Sequence, residues 1–133
     1  MLATLAGLQN FVIYFATAIA LTALYLFIYT LVTRHNEFAL IRQNVLSASV
    51  ALGLSLIGYA LPLASSLVYA ASPLDSLVWG AVAIVVQIVA YLLVKLLVPK
   101  LAQRIAAGEM SAALFLGLAS VAAGILNTAA MRT

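Results

Sequence analysis

MLATLAGLQNFVIYFATAIALTALYLFIYTLVT, residues 1–33, contains no charged side chain. A helix needs about 20 consecutive apolar residues to cross the hydrocarbon of a bilayer, and this stretch exceeds that length. Three more charge-free stretches follow at Gln43–Leu74, Ser76–Val94 and Met110–Met131, separated only by short charged segments. The chain therefore reads as an all-α, polytopic membrane protein. It forms one domain, residues 1–133, of four transmembrane helices paired as two helical hairpins. The expected spans are 8–33, 44–71, 76–98 and 111–131.

Composition agrees with that reading. The 133 residues are 67% hydrophobic and 7% charged, with a mean hydropathy of +1.24; a soluble domain carries roughly a quarter charged residues. So little charge cannot clothe a water-soluble globule, and the length leaves no room for a separate soluble catalytic module. The net charge of +3 does not mark a nucleic-acid partner, because the basic residues sit at the ends of the apolar stretches. Arg34 and Arg42 follow the first stretch, and Lys95, Lys100 and Arg104 follow the third. The second connection holds Asp75, and Arg132 lies near the C-terminus. Cytoplasmic loops collect Lys and Arg, so the first and third connections are expected in the cytoplasm and both termini outside it. Cysteine is absent, which excludes disulfides, thiol catalysis and thiolate metal sites. No basic segment precedes Leu8 and the first stretch is too long for a signal peptide, so it reads as an uncleaved helix.

Proline marks the organisation within and between spans. Pro62 lies inside the second span, where it removes a backbone donor and favours a kink. Pro73 and Asp75 are expected to make a tight outer turn, and Pro99 stops the third span. The two halves also align in part. A shift of about 66 residues places Tyr91-Leu92 on Tyr25-Leu26, and a shift of 64 places Ser111-Ala112 on Ser47-Ala48 and Leu116-Gly117-Leu118 on Leu52-Gly53-Leu54. One reading is a parallel repeat about an axis normal to the membrane. The other is chance alignment of Ala, Leu and Gly.

Lipid gives helices no hydrophobic reason to associate, so small residues that admit close approach mark the contact faces. The second span offers Ser47, Ala51, Ser55, Gly58 and Pro62. The fourth offers Ala113, Gly117, Ser120, Gly124 and Asn127, and the third Gly80, Ala83, Gln87 and Ala90. Gly58, Gly80, Gly117 and Gly124 are the expected packing glycines, with one small-residue face available for a second copy. In the first span Tyr14, Ala18, Thr22, Tyr25 and Tyr29 form an aromatic stripe. Tyr14, Tyr29, Tyr69 and Trp79 are expected at the interfaces, where amphipathic rings anchor helices.

Two readings compete for the polar residues at depth. Ser55, Tyr59, Gln87 and Asn127 either line a path for a solute or ion, or act as interhelical glue. Transport paths usually add ionisable groups at depth, and none is present here, which favours glue. Asn127 with Ser65 and Ser66 would form an outer vestibule. Asn44 reads as the N-cap of the second span, with Gly108-Glu109 doing similar work for the fourth. Phe38, Ile41, Leu101 and Ile105 are expected to face lipid while Arg42, Lys100 and Arg104 meet headgroups. His35-Asn36-Glu37 is the one cluster with metal or proton chemistry in view, but one His and one Glu are too few ligands for a closed site in one subunit. No cofactor is expected.

The run His35-Asn36-Glu37, Leu40-Ile41 and Asn44, then Gly58-Tyr59 with Pro62-Leu63, continuing through Trp79-Gly80, Gln87, Gly117, and Gly124-Ile125 with Asn127, covers essentially the whole chain. It resembles the bacterial inner-membrane family called domain of unknown function 350. The resemblance implies a four-helix inner-membrane protein without an established activity, and an association with envelope stress. The expected function is a non-enzymatic membrane component, homo-oligomeric or docking a cytoplasmic membrane-associated protein. Arg34, His35, Glu37, Arg42, Lys100 and Arg104 would serve as docking or lipid contacts. The alternative is a small channel or transporter.

Overall fold

A computed structural model describes residues 2–33 and 37–131. Among these, all regular structure is helical: α1 (Leu2–Thr33), α2 (Glu37–Arg42), α3 (Leu46–Tyr69), α4 (Pro73–Leu97), α5 (Leu101–Ala106) and α6 (Met110–Ala130). The four long helices are each apolar and long enough to cross a membrane. They begin and end within a few residues of the expected spans, except that α1 starts at Leu2 rather than Leu8. Its 32 residues rise about 48 Å at 1.5 Å per residue, against about 30 Å of hydrocarbon, so α1 must tilt or project.

The centre of the bundle is the pair α3 and α6. Their facing stripes have the small-residue spacing that lipid-embedded packing requires: Ser47, Ala51, Ser55, Gly58 and Pro62 on one, Ala113, Gly117, Ser120 and Gly124 on the other, all buried. At Gly58 a β-carbon would overlap the Ser120 carbonyl, and at Gly124 it would overlap the Gly58 carbonyl. The hydrogens in those positions therefore face carbonyl oxygens, as in Cα–H···O contacts that contribute about 0.5–1 kcal/mol each. Pro62 completes the arrangement. It lies within the unbroken helix α3 and has no N–H, so the Gly58 carbonyl lacks its usual partner four residues on and is left to face Gly124.

Gly117 and Gly80 serve a looser purpose. Each leaves room for a leucine side chain, Leu54 against Gly117 and Leu21 against Gly80. The small faces that carry Gly58, Gly80, Gly117 and Gly124 are thus filled from within the chain, which removes them as grounds for a subunit interface.

Helix α4 packs on both α3 and α6, and α1 lies outside, against α4 and α3. Only Leu21, Tyr25, Tyr29 and Thr33 of α1 are buried. They recur every fourth residue, so α1 touches the bundle along a single line. Tyr14, Ala18 and Thr22 are only half-buried. Tyr29, expected as an interfacial anchor, is instead 2% exposed, because it points inward between the Tyr25 ring, which it meets at a tilt, and the Tyr91 ring, which it meets edge-on.

Three local expectations are corrected at the helix ends. Asn44 does not cap α3. It takes φ 66°, and the Val45 N–H bonds the Leu40 carbonyl while the Asn44 N–H bonds that of Ile41. That is a Schellman stop for α2, with Asn tolerated in the left-handed region. Gly108, φ 92°, ends α5 in the same way: Glu109 N–H to Arg104 and Gly108 N–H to Ile105. Nor do Pro73 and Asp75 lie in the outer turn, which occupies residues 70–72, although Asp75 Oδ2 braces it by accepting from the Ala71 N–H at 3.3 Å. They open α4, with Pro73 in the first turn and the Ser72 hydroxyl accepting from the Asp75 N–H at 3.3 Å, a serine cap with a proline start.

The glycine contacts yield a paired test in detergent. Gly58→Ala should lower stability by about 1–3 kcal/mol through overpacking against backbone that cannot yield. Gly53→Ala, where a β-carbon meets nothing within 4 Å, should be neutral or raise stability by up to about 1 kcal/mol through helix propensity. Thermal unfolding of the two variants side by side decides the matter.

Candidate functional site

Polar side chains collect in two places, the middle of the bundle and its basic end. In the middle, the Tyr25 and Tyr59 rings stack with centroids 4.5 Å apart. The Tyr59 hydroxyl donates to the Gly80 carbonyl at 3.2 Å, and the Tyr25 hydroxyl to that of Ser55 at 3.4 Å. Ser55 Oγ donates to Ser120 Oγ at 3.3 Å, and Gln87 Nε2 to the Ser120 carbonyl at 3.0 Å. Each bond ties one long helix to another. Ser55, Tyr59 and Gln87 are 0%, 0% and 2% exposed, and none of them lines a cavity described below.

Asn127 stands apart from that network. It opens onto a shallow groove between α4 and α6 beside Val89 and Leu126, so the expected path residues do not form one continuous lining. The expected outer vestibule does not form either. Ser65 and Ser66 border a small cleft with Asp75 and Trp79, while Asn127 faces elsewhere. Gln87 Oε1, Asn127 Nδ2 and Ser76 Oγ are buried without a hydrogen-bond partner.

The basic end is shaped by the reversals at α2 and α5. Arg34 and His35 lie outside the described residues. Arg42 is exposed, its Nε donating to the Phe38 carbonyl at 3.3 Å. Arg104 Nε pairs with Glu109 at 3.2 Å, so part of its charge is already matched. Leu101 and Ile105 do not face lipid as expected. They are 1% and 4% exposed, because α5 folds back under the bundle, where the Ser47 hydroxyl donates to the Ile105 carbonyl at 2.6 Å.

Glu37 is the largest departure. Expected as a surface contact, it is 4% exposed. Its carboxylate hydrogen-bonds Thr33 and lies within electrostatic reach of Tyr29 and Tyr91. It cannot serve as a docking contact from there. Burial pushes its carboxyl above the ordinary carboxylate range, and the Thr33 hydrogen bond offsets only part of this.

A cavity of about 270 Å³ opens between the ends of α1 and α4 and the start of α5. Thr33, Tyr91, Lys95, Lys100 and Gln103 line it. Lys100 stands at the reversal with φ 58° and ψ 37°, a left-handed conformation that is strained for a lysine. Sequence reasoning placed Lys100 at the surface but did not bring Tyr91, Lys95 and Gln103 to it. The available signal was the four-residue spacing of Tyr91 and Lys95, which puts them on one helix face, followed by the stop at Pro99. Among the described residues no three His, Cys, Asp or Glu side chains gather as a metal site.

The model of the family described as Domain of Unknown Function (DUF350) matches residues 2–131. The chain belongs to the DUF350 family. It is also 39% identical over 125 residues to the UPF0719 inner membrane protein YjfL of Escherichia coli K12, covering 94% of this chain and 95% of that one. The protein of the same name from Escherichia coli O157:H7 matches to the same extent. No solved structure matches. With four apolar spans, this DUF350 member is a multi-pass inner-membrane protein.

The Glu37 environment predicts a pH dependence. Because the folded state favours the neutral acid, the stability from this group is complete below the unfolded value near 4.5 and is lost as pH rises through the raised folded value. Glu37→Gln should therefore raise the unfolding temperature at neutral pH, and the gain should vanish near about pH 4. A gain that is constant across that range would show that ionisation is not its cause.

Proposed function

We propose that this protein is a non-enzymatic inner-membrane component that works through its basic end, docking a cytoplasmic membrane-associated protein, and that it does not conduct solute. The observation that carries this reading is the use of Ser55, Tyr59 and Gln87 as cross-helix hydrogen bonds in a closed interior. Polar bonds of that kind hold membrane helices together at roughly 0.6–2 kcal/mol each. Arg42 and Lys100 remain exposed beyond the spans, where juxtamembrane cations attract anionic partners. The family resemblance adds envelope stress as the setting. Assembly with further copies belongs to the same reading, with lipid-facing α1 as the surface still open.

The alternative, a small channel or transporter, draws on Gln87 Oε1, which is buried without a partner and would accept from a permeating group. Reconstitution separates the two. Liposomes containing the protein should pass a panel of ions and small solutes no faster than protein-free liposomes. Flux that falls in Gln87→Leu would replace docking with conduction.

Orientation has its own measurement, made simple by the absence of cysteine. In this reading Gln103→Cys reacts with an impermeant thiol reagent only from the cytoplasmic side, and Ser72→Cys only from the periplasmic side. Labelling of both from one side would overturn the arrangement.

A further inference from the structure

We propose that the cavity between α1, α4 and α5 binds the phosphate-bearing headgroup of an anionic phospholipid. This deepens the reading of the basic end as the working surface by naming a ligand class for it. Lys95 comes from the last turn of α4 and Lys100 from the reversal that follows, so two different elements deliver positive charge to one concavity. Neither lysine has an acidic partner among the described residues, whereas nearby Arg104 is matched by Glu109. Two unmatched ammonium groups suit a phosphodiester, and the Tyr91 hydroxyl and Gln103 amide add donors to its oxygens.

Val32, Leu101 and Ala102 add apolar wall to the cavity. A soluble anion gains nothing from them, but the glycerol-ester region of a lipid does. The cavity also lies where α1 and α4 end, at the level at which spans of this length leave hydrocarbon. Its size is slightly below the roughly 300–1,000 Å³ of small-molecule sites, enough for a headgroup while the acyl chains stay in the bilayer. The left-handed backbone at Lys100 holds that residue beside Lys95 instead of letting the chain run on. Glu37 is the carboxylate that reaches Tyr91 electrostatically from α2, and it is not among the residues that line the cavity.

The test is native mass spectrometry of the full chain in detergent, titrated with short-chain phosphatidylglycerol, phosphatidylcholine and glycerol 1-phosphate. Wild type should retain phosphatidylglycerol at least tenfold more tightly than phosphatidylcholine. The Lys95→Gln, Lys100→Gln double variant should lose that preference, and Lys95→Arg, Lys100→Arg should keep it. Arg132→Gln, which removes a cation near the C-terminus, should bind as wild type. The proposal is overturned if the double Gln variant binds phosphatidylglycerol as wild type does, or if Arg132→Gln loses as much. It is equally overturned if glycerol 1-phosphate binds as tightly as the lipid, which would make this a site for a soluble anion. The Lys→Arg variant reads charge at constant fold, so a double Gln variant that unfolds does not remove the test: failure of Lys→Arg to bind, with an unchanged unfolding temperature, also overturns it. Loss of lipid selectivity leaves the docking reading standing, since that reading fails by solute flux or by labelling of both cysteine variants from one side.

Discussion

Backbone-to-backbone approach between α3 and α6 is the constraint from which the rest of the bundle follows. Apolar side chains gain nothing by leaving lipid for protein, so helices associate in a membrane only where they can come close enough for dispersion and weak polar contacts to add up. Gly58 and Gly124 meet that requirement at one crossing, each presenting a hydrogen where a β-carbon would collide with carbonyl oxygen. Pro62 supplies the complementary chemistry by leaving the Gly58 carbonyl without its helical donor. Once α3 and α6 touch there, Ser55 meets Ser120, Gln87 reaches over from α4, and Tyr25 and Tyr59 close the remaining space.

Polar groups inside this interior hold helices together. A serine pair, an amide nitrogen and two phenols are each bonded across a helix boundary. Arg42, Lys95 and Lys100 are exposed at the basic end. There the short helices α2 and α5 fold back through identical left-handed stops, at Asn44 and Gly108, and the backbone reverses once more at Lys100.

The four spans and their small-residue stripes were legible because charge-free length and three- to four-residue spacing are local properties of the sequence. What escaped depended on three-dimensional return. Asn44 and Gly108 each sit between a short helix and a long one, and a residue that favours a cap does not say which of the two helices it serves. Glu37 reads as solvated in the sequence because charge usually is, yet α2 turns it toward Tyr29 and Tyr91. Leu101 and Ile105 read as lipid-facing in the sequence, but apolar residues in a membrane connection have two apolar environments to choose from, and these two take the protein interior. Tyr91, Lys95 and Lys100 became neighbours in a cavity only once the fold back at Lys100 was known.

The single line of contact along α1 has a consequence for biosynthesis. Its partner surface is mainly on α4, which leaves the ribosome later, so the first span must wait in the bilayer without company. Its sequence is suited to that solitude. The hydroxyls of Thr17, Thr22 and Thr30 each donate to a carbonyl of their own helix, on Ile13, Ala18 and Phe27, so none of them is left unsatisfied in hydrocarbon. A helix that is content alone can join last, laid against a core that the later spans have already assembled.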